Sequence, residues 1–214
     1  MKKRLIVILA VVCALALCLC ACGGNGGGGQ GGGGQQGGGE QGGGEQGGGG
    51  AQVAGETIDT GLVKGLCPDG WMYYQQTDMF AEKDADGKYP ADPTKMAFCK
   101  GGESEWDLFS KPTLYVNYYE GELTDSELEW AKAFVDDVAD TKVTVQGKEC
   151  AAFTGKSLVD DENPETDYWE NLYIFLPLDK GYFQINIPTH CGEEPGVSVD
   201  DADVQAIINS IAVD

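Results

Sequence analysis

YWENLYIFLPLDKGYFQINIP, residues 168–188, decides how the chain folds. In its second half Phe183, Ile185 and Ile187 alternate with Gln184 and Asn186. An extended chain then turns one face apolar and leaves the other wetter. Residues 168–176 and 182–188 read as two strands, and Leu178-Asp179-Lys180-Gly181 supplies the turn between them. A hairpin with one buried face is what an antiparallel sheet covered by helices requires.

Working outward, residues 142–146 and 149–154 read as two further strands joined through Gly147-Lys148, and 156–167 as an acidic loop. Residues 113–119 alternate, with Leu114, Val116 and Tyr118 on one face and Tyr115, Asn117 and Tyr119 on the other. Residues 61–67 and 71–75 read as short strands broken by the turn Cys67-Pro68-Asp69-Gly70. Residues 77–93 read as a loop and 95–100 as a strand. Thr124-Asp125-Ser126-Glu127 is a capping box that opens a helix, and Leu128, Ala131, Val135 and Val138 give it an apolar face. Asp136, Asp137 and Asp140 fall near its end, where the helix dipole disfavours them. A last helix begins near Asp200, striped by Val204, Ile207, Ile208 and Ile211. Strands, helix, four strands, helix is the order of an α+β domain, an antiparallel β-sheet flanked by helices.

That domain spans residues 51–214, and its 164 residues suffice for one core. The length is short for a two-lobed, hinged solute binder. It holds 11 lysines and no arginine against 33 acidic residues, a formal charge of −22. Nucleic acid, other polyanions and anionic lipid surfaces are repelled by such a field. Without arginine there is no bidentate grip on phosphate or carboxylate.

The preceding residues are of another kind. Lys2, Lys3 and Arg4 stand before an apolar run over residues 5–19, the head and body of an export signal. Leu19-Cys20-Ala21-Cys22 resembles the lipobox of bacterial lipoproteins. The resemblance implies a signal peptide over 1–21, removal of Cys13, Cys18 and Cys20, and acylation of Cys22 as the new N-terminus. More than one acyl chain there anchors the protein stably, on the extracytoplasmic face of the cell membrane. Residues 23–50 are twenty glycines with Asn, Gln and Glu, a flexible tether with nothing to bury. Such a chain spans roughly 30 Å root-mean-square.

Within the domain, the Pro68-x-Gly70-Trp71 turn, the hairpins over 141–188 and the closing Asp203-Val204-Gln205-Ala206-Ile207-Ile208-Asn209-Ser210-Ile211 resemble PsbP-like domains, over about residues 57–213. The resemblance implies an antiparallel sheet flanked by helices and binding or assembly roles without catalysis. It brings no catalytic residues and no cofactor.

Cys67, Cys99, Cys150 and Cys191 are an even number in an exported domain, which favours two disulfides. If 149–154, 168–176 and 182–188 form a meander, Cys150 and Cys191 lie at opposite ends of the sheet, beyond a disulfide's reach. The remaining choices are Cys67–Cys150 with Cys99–Cys191, or Cys67–Cys191 with Cys99–Cys150, the second preferred. With His190 as the single histidine, zinc is not expected. His190 beside Cys191 suggests a thiol nucleophile, but neighbours on an extended segment point to opposite faces. Glu82-x-Asp84-x-Asp86-Gly87 matches half a calcium loop, yet Pro93 stands where the bidentate Glu belongs. The acids Asp160, Asp161, Glu162, Glu165 and Asp167 cluster without ligand spacing. Tyr115, Tyr118, Tyr119, Trp169 and Tyr173 offer aromatic surface of the kind enriched at interfaces. The expected function is a non-catalytic binding or assembly module for an envelope protein or cell-wall component. The alternative is a binder of a small cationic ligand or divalent metal ion, and a secreted hydrolase ranks last.

Overall fold

The computed structural model describes residues 53–158, 168–192 and 194–214. The signal segment, Cys22, the glycine tether and the five clustered acids between Asp160 and Asp167 lie outside them. The fold is mostly antiparallel β-sheet with two α-helices, an α+β architecture.

The hairpin of residues 168–188 sits at the centre. Its arms β8 (Tyr168–Leu178) and β9 (Gly181–Cys191) pair Leu176 with Phe183, Ile174 with Ile185 and Leu172 with Ile187. Gly181 turns the chain at φ 138°, where an added Cβ would lie 2.3 Å from the Tyr119 carbonyl oxygen. On one side β8 is followed by β7 (Lys148–Leu158) and β6 (Asp136–Val145). On the other, β9 pairs with β5 (Thr113–Tyr119), then β4 (Ala91–Lys100) and β3 (Trp71–Thr77). The order is β3-β4-β5-β9-β8-β7-β6, and the short β10 (Glu194–Pro195) also pairs with β9. A second sheet joins β1 (Gly55–Asp59), β2 (Val63–Pro68) and β11 (Ala212–Val213).

Strand alternation divides the large sheet into two faces. The inner face carries Met96, Phe98, Leu114, Val116, Ile174, Leu176, Phe183, Ile185 and Ile187, all fully buried. Val63 and Gly65 of β2 and Val204, Ile207 and Ile208 of α2 (Ala202–Ser210) close over it. Each such aliphatic side chain contributes about 1.5–3 kcal/mol of burial. The outer face buries Phe153, Phe175 and Tyr182 under Leu128, Ala131 and Val135, from α1 (Asp125–Lys132) and the segment after it. Eight residues are too few for a helix stable by itself. The expected capping box is formed: the Thr124 amide donates to Glu127 Oε2 at 2.7 Å, and the Glu127 amide donates to Thr124 Oγ1 at 3.4 Å. Gly155 on β7 admits this segment, since a Cβ there would lie 2.4 Å from Val135 Cγ2.

Several expectations are corrected. The helix ends at Lys132, so Val138 is not on its apolar stripe but exposed on β6. Asp137 takes φ 51° where the β6–β7 register shifts, a left-handed conformation that Asp tolerates and a helix does not contain. β4 begins at Ala91 rather than residue 95, paired to Thr77 across a register shift that accommodates Pro93. β1 occupies a segment for which the sequence suggested no element. β9 runs on to Cys191, placing His190 inside the strand.

The strand order bears on the two cysteine pairings that the sequence left open. All four cysteines are buried free thiols. Cys99 on β4 and Cys150 on β7 are separated by β5, β9 and β8, about 19 Å at 4.8 Å per strand. Cys99 and Cys191 lie on β4 and β9 with β5 between, about 10 Å apart or more. A disulfide tolerates at most about 7 Å between Cα atoms. Each of the two proposed pairings therefore contains one bridge the register forbids.

Candidate functional site

Paired residues in an antiparallel sheet project from the same face, so the register names the residues that share a row. On the outer face one row runs Tyr74 (β3), Ala97 (β4), Tyr115 (β5), Asn186 (β9), Tyr173 (β8) and Phe153 (β7). Tyrosines thus stand on every second strand for three repeats, about 10 Å apart. The small Ala97, fully buried, lies between two of the rings, and Asn186 between the next two. Tyr74, Tyr115, Tyr173 and Asn186 are all half-buried, and one face of the Tyr173 ring stacks on Phe153 with centroids 4.8 Å apart.

The row below it runs Lys95, Asn117, Gln184, Phe175. Gln184 Nε2 donates to Asn186 Oδ1 at 3.1 Å, linking the two rows, and Asn171 hydrogen-bonds the Tyr173 phenol. Farther down, Tyr119 stacks on Tyr182 with centroids 5.2 Å apart. No charged side chain stands between Tyr74 and Tyr173 in the upper row, and Lys95 at the margin of the lower one is paired with Asp92 at 2.9 Å. Burial raises the phenols of Tyr115, Tyr173 and Tyr119 above their ordinary value, and burial followed by Glu105 and Asp107 raises Tyr74. At neutral pH these groups are hydroxyl donors and the strip carries no charge.

Two exposed aromatic pairs flank the strip. The 3₁₀ turn Glu105–Phe109, close enough for its acids to act on Tyr74, presents Trp106 (66% exposed) and Phe109 with ring centroids 6.4 Å apart. On the α1 side Trp130 (68% exposed) and Phe134 meet edge to face at 4.5 Å.

Of the aromatics expected at a surface, Tyr115 and Tyr173 are therefore brought together. Tyr118 is not: it points into the core and donates to the Lys180 carbonyl oxygen at 2.5 Å. Trp169 lies farther along β8, opposite Cys191. Tyr74 and the amides Asn117, Gln184 and Asn186 escaped selection. Alternation already placed Asn117, Gln184 and Asn186 on a wet face, but only the non-sequential pairing of β5 with β9 puts them beside Tyr115.

The remaining candidates are distributed differently. His190 stacks on Tyr168 with centroids 4.2 Å apart, and its Nε2 is buried without a hydrogen-bond partner among the described residues. Burial, assisted by Glu194, pushes the Cys191 thiol up to about 11, the reverse of what activates a nucleophile. Asp84 Oδ1 accepts the Asp86 and Lys88 amides at 2.9 and 2.8 Å, so its carboxylate closes a local turn. Among the described residues no three His, Cys, Asp or Glu side chains gather as metal ligands, Glu82, Asp84 and Asp86 included. A cleft of about 780 Å³ lies between the β5–α1 connection and the β8–β9 turn, bordered by Glu120, Glu122, Asp179 and Lys180 over Leu123 and Pro177.

No protein-family model matches the chain, and no curated protein or solved structure matches it either.

Proposed function

We propose that the chain is a membrane-anchored extracytoplasmic lipoprotein whose folded domain is a non-catalytic binding module, with the outer sheet face as its binding surface. The supporting observation is the charge-free row Tyr74-Ala97-Tyr115-Asn186-Tyr173 on a domain of formal charge −22. Surface acids are favourably solvated and accumulate wherever nothing else is required of a position. A wide strip of half-buried phenols and amides without one of them is a composition suited to contact, rich in rigid amphipathic rings. The anchor rests on Leu19-Cys20-Ala21-Cys22, and the PsbP-like resemblance accords with a sheet carrying one helix on each face.

The test is crosslinked capture from intact envelopes with the full acylated chain, followed by the same capture with Tyr115→Ala. Reproducible recovery of one envelope component that falls with Tyr115→Ala supports the reading. Recovery indifferent to Tyr115→Ala sinks it.

A second reading has its own observation. The cleft bordered by Glu120, Glu122 and Asp179 is concave and acidic, as a binder of a small organic cation requires. Spermidine raising the thermal midpoint more in the parent protein than in Glu122→Gln would support it, and equal shifts would abandon it.

A further inference from the structure

We propose that the tyrosine row is a set of subsites for a single linear, neutral, β-1,4-linked polysaccharide chain lying across the strands, a ligand class that rests on the binding-face reading above. Three observations converge on it. The first is spacing. Tyr74, Tyr115 and Tyr173 occupy β3, β5 and β8 in one continuous register, about 10 Å apart. In a β-1,4-linked chain each sugar is turned over relative to the last, so the same face recurs at every second unit, about 10 Å along, the same interval as the strand pairs. Three rings would each meet an equivalent sugar face.

The second is chemistry. Tyrosine rings present apolar faces to the axial C–H groups of a pyranose. In the Gln184–Asn186 hydrogen bond Gln184 donates and Asn186 accepts, so the Gln184 carbonyl, its second N–H and both Asn186 N–H groups are left for hydroxyls. Asn117 and the raised, protonated phenols add further donors and acceptors on the same face. Alternating rings and amides match a ligand whose faces are apolar and whose rims are hydroxyl.

The third is charge. A polyanion is repelled by the domain's net −22, and a polycation would be drawn to the abundant acids and not to a strip without them. A neutral chain meets neither condition and finds its complement in the uncharged row. The sheet's twist adds a constraint: tyrosines two strands apart are rotated by about 40–50° relative to one another. Such a surface suits a separate chain in solution that can follow the twist, and not a flat crystalline fibre.

The experiment is calorimetric titration of the full acylated chain in detergent micelles with two probes, cellohexaose and chitohexaose. The expected result is saturable binding of at least one, unaltered between 50 mM and 500 mM salt. Tyr74→Ala, Tyr115→Ala and Tyr173→Ala should each weaken it about tenfold, Tyr115→Phe should weaken it less than Tyr115→Ala, and the control Ser126→Ala should keep it. Circular dichroism of every variant establishes that the fold persists. Absence of binding to both oligosaccharides by folded protein overturns the proposal, as does binding that the three alanine variants leave unchanged. If neither probe binds while envelope capture still depends on Tyr115, the ligand class falls and the binding face stands. If capture is also indifferent to Tyr115, both fall.

Discussion

The indole of Trp71 donates to the Asp203 carboxylate at 3.2 Å, joining the start of β3 to the first turn of α2. These two residues are 132 positions apart in the chain, one in the Pro68-x-Gly70-Trp71 turn and the other in the closing helix. Close by, the Leu66 amide donates to Ser210 Oγ at 2.7 Å, so β2 is tied to the other end of the same helix.

Asp203→Ala should therefore cost about 1–2 kcal/mol, because a nearly buried indole N–H loses its partner and the helix start loses a carboxylate. Trp71→Phe with Asp203 retained removes the donor and lets the carboxylate solvate. Urea unfolding of both variants measures the difference, and an Asp203→Ala loss below about 0.3 kcal/mol would mean that solvent replaces the bond.

Gly155→Ala should destabilise by about 1–3 kcal/mol, since its methyl collides with Val135, 2.4 Å from the added carbon. Val135→Ala in the same background should return part of the loss, although Val135→Ala alone is destabilising. Non-additivity in this cycle reports the contact, and strictly additive losses would place Val135 away from β7.

Acid should weaken the fold through Asp92. Burial opposes its charged form, but the Thr94 hydroxyl at 2.6 Å, the Thr94 amide at 3.0 Å and Lys95 at 2.9 Å outweigh it and hold the carboxyl below its ordinary value. A depressed native pKa gives stability that is present above the unfolded value, about 3.9, and lost as pH falls toward the native one. Asp107 acts in the same direction, lowered first by the Glu103 and Ser104 amides. Unfolding free energy measured from pH 6 to pH 3 should fall, and fall less steeply in Asp92→Asn. Identical slopes would remove Asp92 from the account.

The thiols should react slowly. Burial raises Cys67, Cys150 and Cys191, the last to about 11, so little thiolate exists at neutral pH. Native protein should resist a disulfide reagent that titrates four domain thiols once urea unfolds it. Peptide mapping without reductant should find no Cys99–Cys150, Cys99–Cys191 or Cys150–Cys191 peptide, and finding any of these would break the register of the sheet.

Much of this architecture was legible in the sequence because it depends on local pattern. Ile185 and Asn186 announce the two faces of β9, Thr124 and Glu127 announce the start of α1, and Ile207 and Ile208 announce the buried side of α2. The errors arose where local pattern is silent or divided. Val138 continues a helical stripe, and only the three nearby aspartates hint that the helix has already ended. Cysteine pairing depends on which strands are neighbours, and β5 joins β9 across more than sixty residues. The same non-local pairing assembles the tyrosine row, so Tyr115 could be picked out by type but Tyr74 and Asn186 could not be recognised as its companions.

Among the described residues β6 is one of the two edges of the large sheet, almost wholly exposed, with Asp136, Asp137 and Asp140 along it and a kink at Asp137. An unpaired strand is a template for a neighbour's strand, and copies crowded onto one surface meet edge to edge far more often than copies in dilute solution. Two such edges would bring aspartates against aspartates and find no straight ladder to extend. Held at high density on the proposed tether, the molecules would remain individuals, each keeping its outer sheet face available rather than zippered into a fibre.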